Sequence, residues 1–167
     1  MKISIPHLIV LIVFSTLLFS CSSEDNHPVI EPIPLKMEYT FNSEELETMD
    51  LINAYRQSIG LNQLEPNKHI SYVAEQHNLY MINNNAVNHA GFTERYDNIV
   101  KVLTAIKVGE NIAYNYKKPK EAFEAWLLSP GHKTIIEGDY THFGISIRQS
   151  DAKRKYYTNI FAKILSK

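Results

Sequence analysis

The chain has 167 residues, a formal net charge of −1 and a single cysteine, Cys21. One cysteine excludes a disulfide framework, and this length suits one ordinary domain held together by packing. Its basic residues are scattered, with short clusters only at Lys117-Lys118 and Lys153-Arg154-Lys155. That excludes the dense cationic face of a nucleic-acid binder. The charge is unevenly spread, −7 over residues 22–75 (ten acidic, three basic) and +5 over 76–167 (eight acidic, thirteen basic). Solvated loops account for that asymmetry.

The first twenty residues read as an address. Lys2 precedes an apolar run, Leu8 to Phe19, interrupted only by Ser15 and Thr16. The run falls short of the roughly 20 residues of a membrane-spanning helix and suits the apolar region of a signal peptide. Leu18-Phe19-Ser20-Cys21 resembles the bacterial lipobox, in which the chain is cut before the cysteine and acyl chains are attached to it. The alternative is a plain secretion signal that ends in cysteine. A lipidated Cys21 would make the membrane a partner and place the protein at the bacterial envelope, anchored without spanning. Ser22-Ser23-Glu24-Asp25 then reads either as a surface-export signal or as ordinary tether. Pro28, Pro32 and Pro34 favour an extended linker. The expected organisation is a signal over 1–20, a lipidated and Pro-rich tether over 21–40, and one domain over 41–167. An exported address also argues against nucleic acid as a partner.

Within the domain, Asn42 followed by Glu45 predicts a capped helix start, with Leu46, Met49, Ile52 and Arg56 near one face and Gly60 as a stop. Leu51 and Tyr55 widen that face. Ile70, Val73, Ala74, His77 and Met81 keep helical spacing, and Asn83-Asn84-Asn85 ends that helix. Residues 93–108 carry a weaker pattern, read as a short helix. Pro119 opens a third helix carrying Ala122, Phe123, Ala125 and Trp126, which Pro130-Gly131 stops. Phe143, Ile145 and Ile147 alternate with polar residues, and Tyr156 to Ile164 alternates again, predicting a terminal antiparallel hairpin. Helices followed by strands imply an α+β domain.

Of seven histidines, His7, His27 and His69 lie in the signal, the tether and a helix start. His77 reads as a packing residue, and His142 as exposed beside Ser146 and Arg148. His89 and His132 each lie near a glycine, and Glu110 sits between Gly109 and Asn111, all three in segments read as loops. Two imidazoles and a carboxylate could hold zinc or another divalent ion, move protons, or simply tie loops together.

Ile52-Asn53-Ala54-Tyr55-Arg56, His89-Ala90-Gly91-Phe92, Gly109-Glu110-Asn111-Ile112-Ala113, Trp126 to His132 and Tyr157-Thr158-Asn159 occur in one order. In that order they resemble the CAP superfamily of cysteine-rich secretory, antigen 5 and pathogenesis-related proteins, bacterial branch. The resemblance implies an α-β-α sandwich with a central antiparallel sheet, and a cleft of histidines and acidic residues that sometimes holds a metal. It assigns His89, Glu110 and His132 to that cleft. The chain also departs from the family: Tyr156 and Ser129 stand where eukaryotic members carry a histidine and a second glutamate, and Ile135 and Asn159 replace a usual asparagine and glutamine. The leading expectation is therefore an envelope-anchored binding module for an unknown lipid, glycan or protein. The alternative is a metal-dependent, peptidase-like hydrolase using the same cleft, and a third reading is a purely structural surface protein.

Overall fold

The computed structural model describes residues 34–35 and 38–165. The expected signal, Cys21 and the acidic pair after it lie outside the described residues. Among the described residues burial begins at Tyr39, just inside the stretch expected as tether.

Helix α1 spans Ser43–Ser58 and starts with a capping box: Asn42 Oδ1 accepts from Glu45 N at 2.9 Å, and Glu45 Oε2 accepts from Asn42 N at 3.0 Å. Its buried side is Glu45, Thr48, Met49, Ile52 and Arg56. Leu46, expected inside, is 47% exposed. The stripe is displaced because Glu45 turns inward to accept bonds from Tyr39, Ile147 N and Arg148. Arg56 is fully covered because its guanidinium donates to the carbonyls of Asn62, Ile136 and Gly138.

After the two-residue strand β1 (Glu65–Pro66) come α2 (Lys68–Asn83), α3 (Phe92–Leu103) and β2 (Ala105–Tyr114). The weak pattern over 93–108 thus divides into a full helix and the start of a ten-residue strand. Thr104, at φ +54°, makes the break between them. Helices α4 (Pro119–Leu128) and α5 (Pro130–Ile136) follow, then β3 (His142–Gln149) and β4 (Lys155–Ile164). Pro130 ends nothing by itself. Ser129 leaves the helical region at ψ 115°, and Pro130 then opens α5 as its first residue. His132 consequently lies on a helix and not in a loop.

The sheet order is β1-β3-β4-β2. The β2–β4 and β3–β4 pairs are antiparallel, and the short β1 adds to β3 in parallel, so the sheet is mixed at that edge. Helices cover both faces. Met49, Ile52, Phe123, Trp126 and Ile136 from α1, α4 and α5 pack on Phe143, Ile145, Ile147, Tyr157 and Phe161. Ile70, Val73, Ala74 and Ile99 from α2 and α3 pack on Val108, Ile160 and Ala162. The domain is therefore an α-β-α sandwich of the α+β class.

The second helical layer corrects the reading of β3 as a strand with one wet face. Ser146 is fully buried, its carbonyl accepting from Asn78 of α2 at 2.7 Å. Arg148 binds Glu45 and Glu75, and His142 contacts Thr141 and Glu65. Helix α2 lies so close to β3 that a Cβ on Gly144 would fall 2.6 Å from the carbonyl carbon of Ile70. Gly144→Ala should therefore cost about 3 kcal/mol in chemical unfolding, at the high end for overpacking. Gly131, in open space within α5, is the contrast. Gly131→Ala should be neutral or gain up to about 1 kcal/mol from helix propensity.

Candidate functional site

Strand β2 forms one edge of the sheet, and its residues alternate between the two helical layers. Glu110, opposite Ile160, faces α2 and α3, and Asn111, opposite Asn159, faces α5. The candidate site is built around these two neighbours.

Glu110 is 4% exposed on a strand dominated by apolar packing, and a carboxylate there must be paired. Arg95 of α3 pairs it as a two-pronged fork: Nε donates to Oε2 and Nη2 to Oε1, each at 2.7 Å. His89 adds a third bond, Nδ1 to Oε1 at 2.8 Å. Burial pushes the Glu110 carboxyl up, but the bonds from His89 and Arg95 outweigh it and hold the group below its usual range.

Arg95 also fixes the loop that carries His89. Its Nη1 donates to Ala90 O at 2.8 Å, while Ala90 N donates to Asn88 Oδ1 at 3.0 Å. Gly91, at φ +72°, turns the chain into α3, and a Cβ there would meet Arg95 Nη1 at 3.3 Å. Against a carboxylate, His89 Nδ1 carries the proton. Nε2 then faces outward from a side chain that is 49% exposed.

His77 of α2 lies behind this loop. Its Nε2 donates to Asn88 O at 2.9 Å, which leaves buried Nδ1 without a hydrogen-bond partner. Burial, then the nearby Arg95 charge, lowers its pKa to about 4. His77 is thus a packing residue, as its spacing predicts, and it also supports the His89 loop.

His132 enters from the other layer. Its carbonyl accepts from Asn111 Nδ2 at 3.0 Å, tying α5 to β2 one residue beyond Glu110. Burial and then repulsion from His89 depress its pKa. His89 and His132 thus approach the β2 edge from opposite helical layers. The structure joins His89 to Glu110 directly and ties His132 to the same strand through its backbone carbonyl, with no side-chain bond from His132 to His89 or Glu110.

Sequence reasoning misses one member of the cluster, Arg95, and misplaces two, Glu110 and His132, both read as loop residues. Arg95 is legible in principle: it lies on the α3 stripe with Phe92 and Ile99, and an arginine inside an apolar stripe calls for a buried acid. Glu110 reads as a loop residue because Gly109 and Asn111 disguise the strand.

The residues do not fit a divalent ion. Both Glu110 oxygens are engaged by Arg95, one of them by His89 as well, and the guanidinium would oppose a dication at van der Waals range. Among the described residues no three histidine, cysteine, aspartate or glutamate groups are arranged to hold a metal.

His77 makes the stability depend on pH. The fold favours neutral His77, whereas the unfolded chain takes up a proton below the ordinary value of 6.5. Its contribution is complete above pH 6.5 and is lost as pH falls toward 4. Between pH 7 and 4.5 the wild type should lose about 2 kcal/mol more stability than His77→Gln, measured by urea unfolding. Equal losses would show that His77 is not held neutral.

Comparison with known proteins agrees with this architecture. A membrane protein of Bacillus subtilis, YlbC, is 37% identical over 127 residues, covering 72% of this chain and 35% of its own length. YkwD of the same organism is 33% identical over 110 residues, covering 64% and 43% respectively. The chain thus matches less than half the length of these curated relatives. An extracellular SCP-domain protein of Bacillus anthracis superposes with TM-score 0.65 at 27% identity, covering 78% of this chain and 44% of that one. An outer surface protein of Borrelia burgdorferi superposes at 0.68 with 21% identity, covering 78% of this chain and 100% of that one, a likeness of fold. The pattern of the CAP, or cysteine-rich secretory protein, family matches residues 49–161. That is most of the domain, and the chain belongs to this family.

Proposed function

We propose that the protein is a binding module of the bacterial envelope, and that its ligand sits in the cleft formed by His89, Glu110 and His132. The envelope location rests on the signal-like stretch ending at Cys21. It accords with relatives described as a membrane protein, an extracellular protein and an outer surface protein. No helix among the described residues is long and apolar enough to cross a membrane.

One observation carries the choice of binding over catalysis. The carboxylate of Glu110 is committed to Arg95 and His89, with its charge cancelled and its proton affinity lowered. Such a group is a poor general base and a poor metal ligand. It is well suited to holding His89 in one tautomer and orientation. What the cleft offers a ligand is imidazole: His89 Nε2 and the His132 ring.

The chain from Ser22 onward, incubated with murein sacculi and with phospholipid vesicles, should be retained on one of them. His89→Ala or His132→Ala should weaken that retention about tenfold, the loss of one charge-assisted hydrogen bond. Equal retention of both variants would remove the cleft from the binding surface. A calorimetric titration with zinc separates the hydrolase reading. Stoichiometric uptake that disappears in His89→Ala would favour metal chemistry, and the proposal expects none.

A further inference from the structure

Beneath α5, on the sheet face away from Arg95, two buried asparagines lie side by side. We propose that Asn111 and Asn159 form an internal water site between the β2–β4 ladder and α5, in which an ordered water bridges Asn111 Oδ1 and the Asn159 amide. The site does not depend on what the cleft binds.

Strand register places the two residues together. Asn111 on β2 and Asn159 on β4 are direct partners in an antiparallel pair. Their side chains therefore leave the same face of the sheet, with Cβ atoms about 4.5–5.5 Å apart. That face is the one under α5, because Asn111 Nδ2 donates to His132 O at 3.0 Å. Both asparagines are fully buried.

Their hydrogen bonds do not close within the protein. Asn111 spends its Nδ2 on His132 O, while its Oδ1 has no partner among the described residues. Asn159 has none for either Oδ1 or Nδ2. Three unmet polar atoms on two adjacent side chains are a concentration that protein interiors avoid, because an amide buried without a partner is costly. The opposite face of the sheet shows the usual outcome. There Asn78 of α2, also fully buried, donates to Ser146 O and accepts from Thr158 Oγ1, each at 2.7 Å.

A water molecule matches the unmet groups in span and in bonding. Two hydrogen bonds of ordinary length let one water join polar atoms up to about 5.5 Å apart. Cross-strand amides that do not bond each other fall within that reach. The water donates to Asn111 Oδ1 and accepts from Asn159 Nδ2. Its second proton is free for a further bond, and about three bonds is the usual complement of a buried water. Full burial of both side chains restricts the occupant to something of this size.

The site bears on the helix above it. Of the seven residues of α5 only Ile136 is buried, so polar ties hold much of this helix to the sheet. One tie is the bond from Asn111 to His132 O. A water on Asn111 Oδ1 fixes the orientation of that amide and keeps Nδ2 aimed at the carbonyl. Asn159 thus acts on the position of α5 through the water and Asn111.

The test joins a crystal structure of the full-length chain, at a resolution that shows individual waters, to oxygen-17 relaxation dispersion of the same chain in micelles of an uncharged detergent. A water within about 3.2 Å of both Asn111 Oδ1 and the Asn159 amide is the expected result. A direct bond between the two asparagines, a water on only one of them, or none at all would overturn the inference. In solution, Asn159→Leu keeps the heavy-atom skeleton of the side chain and removes both polar atoms. It should lower the dispersion amplitude by at least one long-lived water, and an amplitude equal to wild type would overturn the inference as well. Should the leucine variant fail to fold, the wild-type crystal structure decides by itself.

Discussion

The β2 edge of the structure depends on one buried ion pair. Glu110 projects from an edge strand into the layer formed by α2 and α3, where an unpaired carboxylate would be very costly. Arg95 answers it with a planar fork that matches the carboxylate, a geometry lysine does not offer. The same guanidinium reaches Ala90 O, so one side chain orients α3, neutralises β2 and shapes the loop before α3. His89 is positioned by what remains: its ring bonds the carboxylate that Arg95 has fixed in place. Such pairs contribute little net stability over an apolar alternative, and their value lies in the arrangement they enforce.

The far end of the sheet repeats the device for a different purpose. Glu45, at the start of α1, accepts from Tyr39, from the amide of Ile147 and from Arg148, which also binds Glu75. This network joins the chain entering the domain to the end of β3 and to α2. It holds frame positions, and each of its polar groups is committed to a partner within the protein. The Glu110–Arg95 cluster differs in that its outer member, His89, is bonded through one ring nitrogen, and this contrast is why the binding site is proposed there. Between the two ends, Trp126 fixes α4 by donating to Ile112 O at 2.8 Å, and Asn111 fixes α5 through His132 O. Neighbouring residues of β2 thus secure three helices, which explains why Gly-Glu-Asn-Ile-Ala and the Trp126 to His132 stretch occur as a set.

Much of this was legible in the residues. The Asn42–Glu45 box, the helical spacing from Ile70 to Met81, Pro119 as a helix opener and the alternation of Phe143, Ile145 and Ile147 each correspond to an element found in the structure. The three-layer arrangement was implied by family resemblance, since alternation on β3 suggested one wet face. Gly144 was the clue to the second layer, because an interior strand glycine marks close backbone approach. Strand β2 was hidden because Glu110 and Asn111 are polar residues buried by specific partners, which a hydrophobic pattern cannot register. Pro130 misleads for a related reason: a proline after a helical stretch reads as a stop, whereas here the backbone of Ser129 makes the break and Pro130 opens the next helix. His89, Glu110 and His132 stand out as chemistry-bearing residues in the sequence, but the cation that sets their character, Arg95, does not.

That omission matters for function. A trio of two histidines and a glutamate suggests a metal or a proton shuttle, whereas the same trio with a guanidinium locked onto the glutamate suggests a neutral-to-positive recognition surface. The account therefore turns on whether Arg95 and Glu110 act as one unit. A double-mutant cycle measured by urea unfolding tests this directly, using wild type, Arg95→Met, Glu110→Gln and the double variant. Each single substitution should cost about 3–5 kcal/mol by stranding a buried partner, and the double variant should cost well under the sum. Additivity within about 0.5 kcal/mol would mean the two residues are independent and would contradict the account.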